Sequence, residues 1–149
     1  MRLELTRAGD YAVRAMLALA AHDAPRALSS RRIAREWQIP QRFLTRVLRR
    51  LAERGLVEPV LGRHGGYRLA RPATSITLLD VIDAVEAAPT KGICVLRGGS
   101  CQRGGTCAVH DLFSAARADF LERLAARTLG HLVERHATTV PPGTSGGGL

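Results

Sequence analysis

Long apolar runs are absent from this chain. No stretch approaches the roughly 18 residues that a membrane-crossing helix needs, and the first five residues lack the h-region of a secretory signal. The expectation is a soluble cytoplasmic protein with no membrane partner. Cysteine is scarce and odd in number, three in 149 residues, which argues against a disulfide framework. No nucleophile–base–orienter set stands out, so an enzyme is not expected. Acidic residues are short only in one half. Residues 1–72 carry 15 arginines, no lysine and six acids, whereas residues 73–149 carry seven basic and seven acidic residues. The whole excess of +9 therefore lies in the first half, as for a unit that binds a polyanion joined to a neutral one.

What is present begins with three helical patterns. Residues 6–21 repeat Tyr11, Ala12, Ala15, Met16 and Leu19 at spacings of three and four. Ser29 or Ser30 can cap a second helix with Ile33, Ala34 and Trp37 on its apolar face. Pro40 separates this from a third helix, residues 40–54, whose buried face would be Phe43, Leu44, Val47, Leu48 and Leu51, with Gly55 as its stop. A short helix pair whose second member is basic outside reads as a helix-turn-helix. The segments L-V-E-P-V, L-G-R-H-G-G and Y-R-L-A then read as strand, glycine turn and strand. Together these give a mainly α fold with a small β-hairpin wing, in which the third helix enters the DNA major groove and the wing follows the backbone or minor groove. The residues expected to meet double-stranded DNA are Arg31, Gln41, Arg42, Thr45, Arg46, Arg49, Arg63, His64 and Arg68.

After a linker at residues 71–75, Thr77 and Asp80 resemble a capping box opening a helix through Glu86, with Leu78, Leu79, Ile82 and Val85 expected to be buried. Beyond residue 107, Val109, Leu112, Phe113, Ala116, Phe120 and Leu124 form a helical stripe of about four turns. So long a stripe in so small a chain suits an antiparallel partner helix, with Phe113, Ala116, Phe120 and Leu124 in a homodimer seam and a palindromic DNA site to match. Residues 128–134 suggest one more short helix. The organisation is thus a DNA-binding domain over residues 1–72, a ligand loop and dimerisation helices over 73–137, and a tail over 138–149 disordered by composition.

All three cysteines and a histidine fall in G-I-C-V-L-R-G-G-S-C-Q-R-G-G-T-C-A-V-H, residues 92–110. Three thiolates in one loop suit an iron–sulfur cluster and leave one ligand position open. If a helix begins near Cys107, then Cys107 and His110 share a face, and His110 is the nearest fourth donor to Cys94, Cys101 and Cys107. Structural zinc and bare redox thiols stay open beside it; gaps of six and five residues are not the usual paired spacing of a zinc site. An iron–sulfur electron-transfer protein is a further alternative, but it would have no use for the arginine-rich half.

Four motifs in order, M-R-L-E-L-T-R-A-G-D-Y-A-V-R-A-M, G-L-V-E-P-V-L-G-R-H-G-G-Y-R-L-A, the triple-cysteine loop ending C-A-V-H, and T-L-G-H-L-V, resemble the Rrf-type family of bacterial winged-helix regulators over about residues 1–134. The likeness is greatest to its iron–sulfur cluster regulators, and next to its nitric-oxide-sensing repressors. It implies a transcriptional regulator holding a 2Fe-2S cluster on Cys94, Cys101, Cys107 and His110. The nitric-oxide branch implies instead a 4Fe-4S cluster with Asp10, from the partner subunit, as fourth ligand. The first cysteine gap is one residue longer here than in the cluster regulators, a bulge its glycines allow. The family's base-reading glutamate falls on Thr45, and its wing arginine falls on Leu61, with Arg63 two residues on.

Overall fold

Helix α1 (Arg7–Ala21) begins where the Thr6 hydroxyl accepts the Gly9 N–H at 3.1 Å, an N-cap that satisfies one of the helix's free donors. The computed structural model describes residues 4–22, 27–86 and 107–139. Cys94, Cys101 and residues 140–149 lie outside the described residues, and so does most of the expected ligand loop. Along α1, Ala12, Ala15 and Met16 are wholly inaccessible. The small alanines let the later helices Gln41–Glu53, Leu78–Val85 and Leu129–Thr139 approach closely, and all three pack onto α1.

Ser29, rather than Ser30, caps α2 (Ser30–Glu36) by accepting from Arg32 N–H at 3.3 Å. The turn that follows takes Gln38 into the left-handed region, φ 52°, and leads through Pro40 into α3 (Gln41–Glu53). Leu44, Val47, Leu48 and Leu51 are buried on α3, at the spacing that gives one face of a helix. Burying each leucine contributes about 1.5–3 kcal/mol. Gly55, at φ 67°, ends the helix in a conformation that side chains rarely adopt.

Strands β1 (Val57–Val60) and β2 (Gly66–Leu69) pair antiparallel, with Val57 opposite Leu69 and Val60 opposite Gly66. Leu28 adds a bridge on the far side of β2, exchanging two backbone hydrogen bonds of 2.9 Å with Tyr67. A Cβ at Gly66 would strike the Leu28 carbonyl, so only glycine admits this approach. The turn-side end of β2 is thereby tied to the residues just before α2.

A single 3₁₀ turn (Ala73–Ser75) leads to α4 (Leu78–Val85), and the expected capping box is present: Thr77 Oγ1 accepts from Asp80 N–H at 3.1 Å, and Asp80 accepts from Thr77 N–H at 3.0 Å. The buried face differs from the expected one. Val81, Ile82 and Val85 are buried, while Leu78 and Leu79 are only half-buried, because α1 and α3 meet α4 on the Val81 side. Helix α5 (Ala108–Ala125) packs against α4, and none of its residues is buried. Helix α6 (Leu129–Thr139) is longer than the short helix read at residues 128–134 and anchors through Leu129, fully inaccessible. Ile76, Val81, Val85 and Leu129 belong to the same cluster as the α1–α3 core, so the packing is continuous across residue 72.

Candidate functional site

The helix-turn-helix presents a basic surface whose cations divide into two groups. Arg32 is held by Glu36 at 2.8 Å and Arg49 by Glu53 at 2.9 Å, both one helical turn away, and Arg68 pairs with Glu58 across the hairpin. Arg31, Arg46, Arg63 and His64 are exposed and have no hydrogen-bond or ion-pair partner among the described residues. An unpaired guanidinium meets phosphate or a base edge without first breaking an internal pair. Arg31 lies at the start of α2, Arg46 on α3, and Arg63 and His64 at the hairpin turn. Arg68 sits within β2.

Around the start of α3 the polar side chains are oriented by the fold. Arg42 lies over the Phe43 ring at 4.9 Å, and Phe43 leans on Tyr11 of α1 at 5.8 Å between centroids. The Thr45 hydroxyl donates to the Gln41 carbonyl at 3.1 Å, so only its lone pairs remain for an outside donor. The Gln41 carboxamide donates to the Ser30 hydroxyl at 3.1 Å. In the sequence Ser30 is only a possible helix cap; its meeting with Gln41 comes from the fold. Leu61, beside the wing turn, is 92% exposed.

Arg50 has a structural role that its place on a basic helix does not mark. Its guanidinium donates to the Val85 carbonyl at 2.7 Å, tying α3 to the end of α4. One residue on, Glu86 Oε1 accepts both the backbone N–H and the hydroxyl of Thr6 at 2.9 Å, tying the same point to the start of α1. The segment with Cys94 and Cys101 therefore leaves a point braced on the two helices that shape the DNA-binding surface.

Of the expected ligands, Cys107 is a free thiol at the N-cap of α5 and His110 lies in the first turn, three residues on. Both are half-buried, and neither side chain has a hydrogen-bond partner among the described residues. Asp10 sits elsewhere, on α1, with Arg14 donating to both its oxygens at 2.9 and 2.6 Å. Arg14 also reaches the Trp37 carbonyl at 3.5 Å. Among the described residues no group of three or more potential ligands converges. Phe113, Ala116 and Phe120 are exposed on α5, and Leu124 is half-buried. No helix among the described residues is long and apolar enough to cross a membrane.

A family model described as Rrf2, iron-dependent transcriptional regulator, matches residues 5–135. The HTH-type transcriptional regulator IscR of Vibrio campbellii is 36% identical over 135 residues, covering 89% of this chain and 78% of the relative. Among solved structures, T. potens IscR superposes with a TM-score of 0.75 at 25% identity, over 95% of this chain and 94% of that one. CymR, the global cysteine regulator of B. subtilis, gives a TM-score of 0.77 over 90% and 98% of the two chains; at 24% identity that likeness is one of fold.

Proposed function

The chain belongs to the Rrf2 family of transcriptional regulators, which are DNA-binding proteins and not enzymes, and from that premise we propose that it is a homodimer whose DNA binding responds to an iron–sulfur cluster. The ligands are Cys94, Cys101, Cys107 and His110, the cluster is 2Fe-2S, and the operator is a palindrome in cytoplasmic DNA. The observation that carries this reading is the start of α5. Cys107, the N-cap of α5, and His110, in its first turn, are three residues apart, both half-buried and without a hydrogen-bond partner among the described residues, a placement that would suit a thiolate and an imidazole serving one centre. Asp10 is the weaker fourth donor, because ligation would first break its two bonds from Arg14.

A cluster supplies a centre that responds to oxidation, nitric oxide or iron supply. The chain's part is to transmit that response. The Glu86–Thr6 and Arg50–Val85 contacts join the end of α4 to α1 and α3, and a change at the ligand site would reach the recognition helix through them. In a dimer, a small tilt of α3 changes the spacing of the two recognition helices, which must match half-sites one DNA turn apart.

The test is anaerobic purification of wild type, His110→Ala and Asp10→Ala, with iron and sulfide analysis and visible spectra. Equal iron and sulfide in wild type, an altered spectrum in His110→Ala and an unchanged one in Asp10→Ala are expected. If Asp10→Ala alone loses the cluster, the 4Fe-4S arrangement replaces this one. Zinc without sulfide would make the site structural, and metal-free protein would make it a thiol sensor.

A further inference from the structure

The hairpin ends in a slender tip. Between Val60 and Tyr67 the chain reads Leu-Gly-Arg-His-Gly-Gly, so side chains project only from Leu61, Arg63 and His64. A backbone hydrogen bond from Gly65 N–H to the Gly62 carbonyl, 3.0 Å long, closes the turn, with Gly62 at φ 111°. Val60 pairs with Gly66, and a Cβ on Gly65 would strike the Val60 carbonyl, so the returning strand has no side chain to lay over Leu61 at this end. At 92% Leu61 is the most exposed large apolar side chain among the described residues.

A lone exposed leucine is ordinary on a protein surface. The neighbours of this one give it a setting. Arg63 and His64 are exposed and have no partner among the described residues, and residues 61–66 include no acid. Such a tip is drawn to the phosphates that flank a groove, and the minor groove, about 6 Å wide, admits a turn whose remaining positions are glycine. Leu61, two residues from Arg63, then lies at the DNA surface. It can neither neutralise a phosphate nor hydrogen-bond a base, so its favourable place is inside the groove, against sugars and base edges, where it displaces water. There A·T pairs present only acceptors, whereas G·C adds the guanine 2-amino group, which would lie beneath the leucine cut off from water.

We propose that Leu61 enters the minor groove as the apolar element of the wing and selects, by exclusion, base pairs that lack the guanine 2-amino group. The proposal rests on the wing meeting DNA. Arg63 supplies attraction that salt screens, and Leu61 supplies a contact that releases no counterion and is therefore insensitive to salt.

The experiment uses the full chain and an operator selected from a randomised DNA library. Each A·T pair is replaced in turn by G·C and by inosine·C, which has the minor-groove face of A·T and the major-groove face of G·C. At one or more positions in each half-site, wild type should bind the inosine·C operator as it binds A·T and lose at least about 5-fold on G·C. In Leu61→Ala that difference should vanish, and affinity for the parent operator should fall about 5- to 30-fold with an unchanged salt slope and melting temperature. Arg63→Ala should flatten the slope. Equal binding of G·C and inosine·C operators at every position in wild type overturns the proposal, as does discrimination that persists in Leu61→Ala. Wild-type DNA affinity in Leu61→Ala with altered sedimentation would overturn it too, assigning Leu61 to a contact between copies. If neither Leu61→Ala nor Arg63→Ala alters binding while Arg46→Ala does, the wing is off the DNA and the proposal falls with α3 still in the groove. If none of the three does, the recognition role of α3 itself is wrong.

Discussion

Helices α3 and α5 are similar in kind and opposite in circumstance. On α3 four apolar side chains are buried against α1 and their neighbours, and the outward arginines are sorted into paired and unpaired ones. On α5, longer by five residues, nothing is buried, and Leu112, Phe113 and Phe120 are 68%, 38% and 41% exposed. The first helix is completed by its own chain. The second carries apolar surface that is exposed among the described residues, close in sequence to a thiol and an imidazole without hydrogen-bond partners among those residues. The half that holds α3 is packed by its own chain among the described residues, and the α5 half is the one on which the proposed second copy and cluster would act.

The largest expected effect tests the half that holds α3. Leu48→Ala removes a wholly buried side chain and should cost about 2–5 kcal/mol in urea unfolding. Leu112→Ala on α5 should change the stability of the isolated subunit by less than about 0.5 kcal/mol. Equal losses would erase the contrast. Next is the seam: Phe120→Glu places a charge where the partner helix would lie and, at about 3 kcal/mol, should weaken the dimer roughly a hundredfold, visible in sedimentation. An intact dimer would put Phe120 outside the interface. Third, the arginine sorting should appear in DNA titrations. Arg46→Ala should cost about 1–3 kcal/mol of sequence discrimination, and Arg63→Ala should flatten the salt dependence by about one phosphate contact. Arg49→Ala, whose guanidinium is shared with Glu53, should do less than either. The smallest effect is local: Thr77→Ala should cost about 1 kcal/mol through the lost cap of α4, read by thermal melting.

Features whose cause lies within a few residues are readable from the sequence. The caps at Ser29 and Thr77, the stop at Gly55 and the hairpin between β1 and β2 all follow from neighbouring residues, and all are present, while Thr6, read as the first helical residue, is instead the cap of α1. The buried face of α4 is less readable. Six apolar residues among its eight allow more than one helical face, and the choice of Val81 over Leu78 and Leu79 depends on where α1 and α3 lie. The braces Arg50–Val85 and Glu86–Thr6 span 35 and 80 residues. In the sequence, Arg50 is one more outward cation of a basic helix, and nothing near Glu86 marks its partner. Of the candidate ligands, Cys107 and His110 stand three residues apart at the start of α5, as the sequence reading of a helix near Cys107 expects. Cys94 and Cys101 remain a reading of residue type and resemblance.

The most direct test compares the two halves of the molecule in one titration, measuring affinity of the anaerobically purified protein for a selected operator before and after removal of its cluster. Coupling of about 1–3 kcal/mol should appear as a 5- to 150-fold change in affinity or an exchange of preferred operator. In Cys107→Ala, which lacks one ligand, the same treatment should change nothing. Identical affinity and identical site preference with and without the cluster would show that α5 and its ligands do not govern what α3 binds.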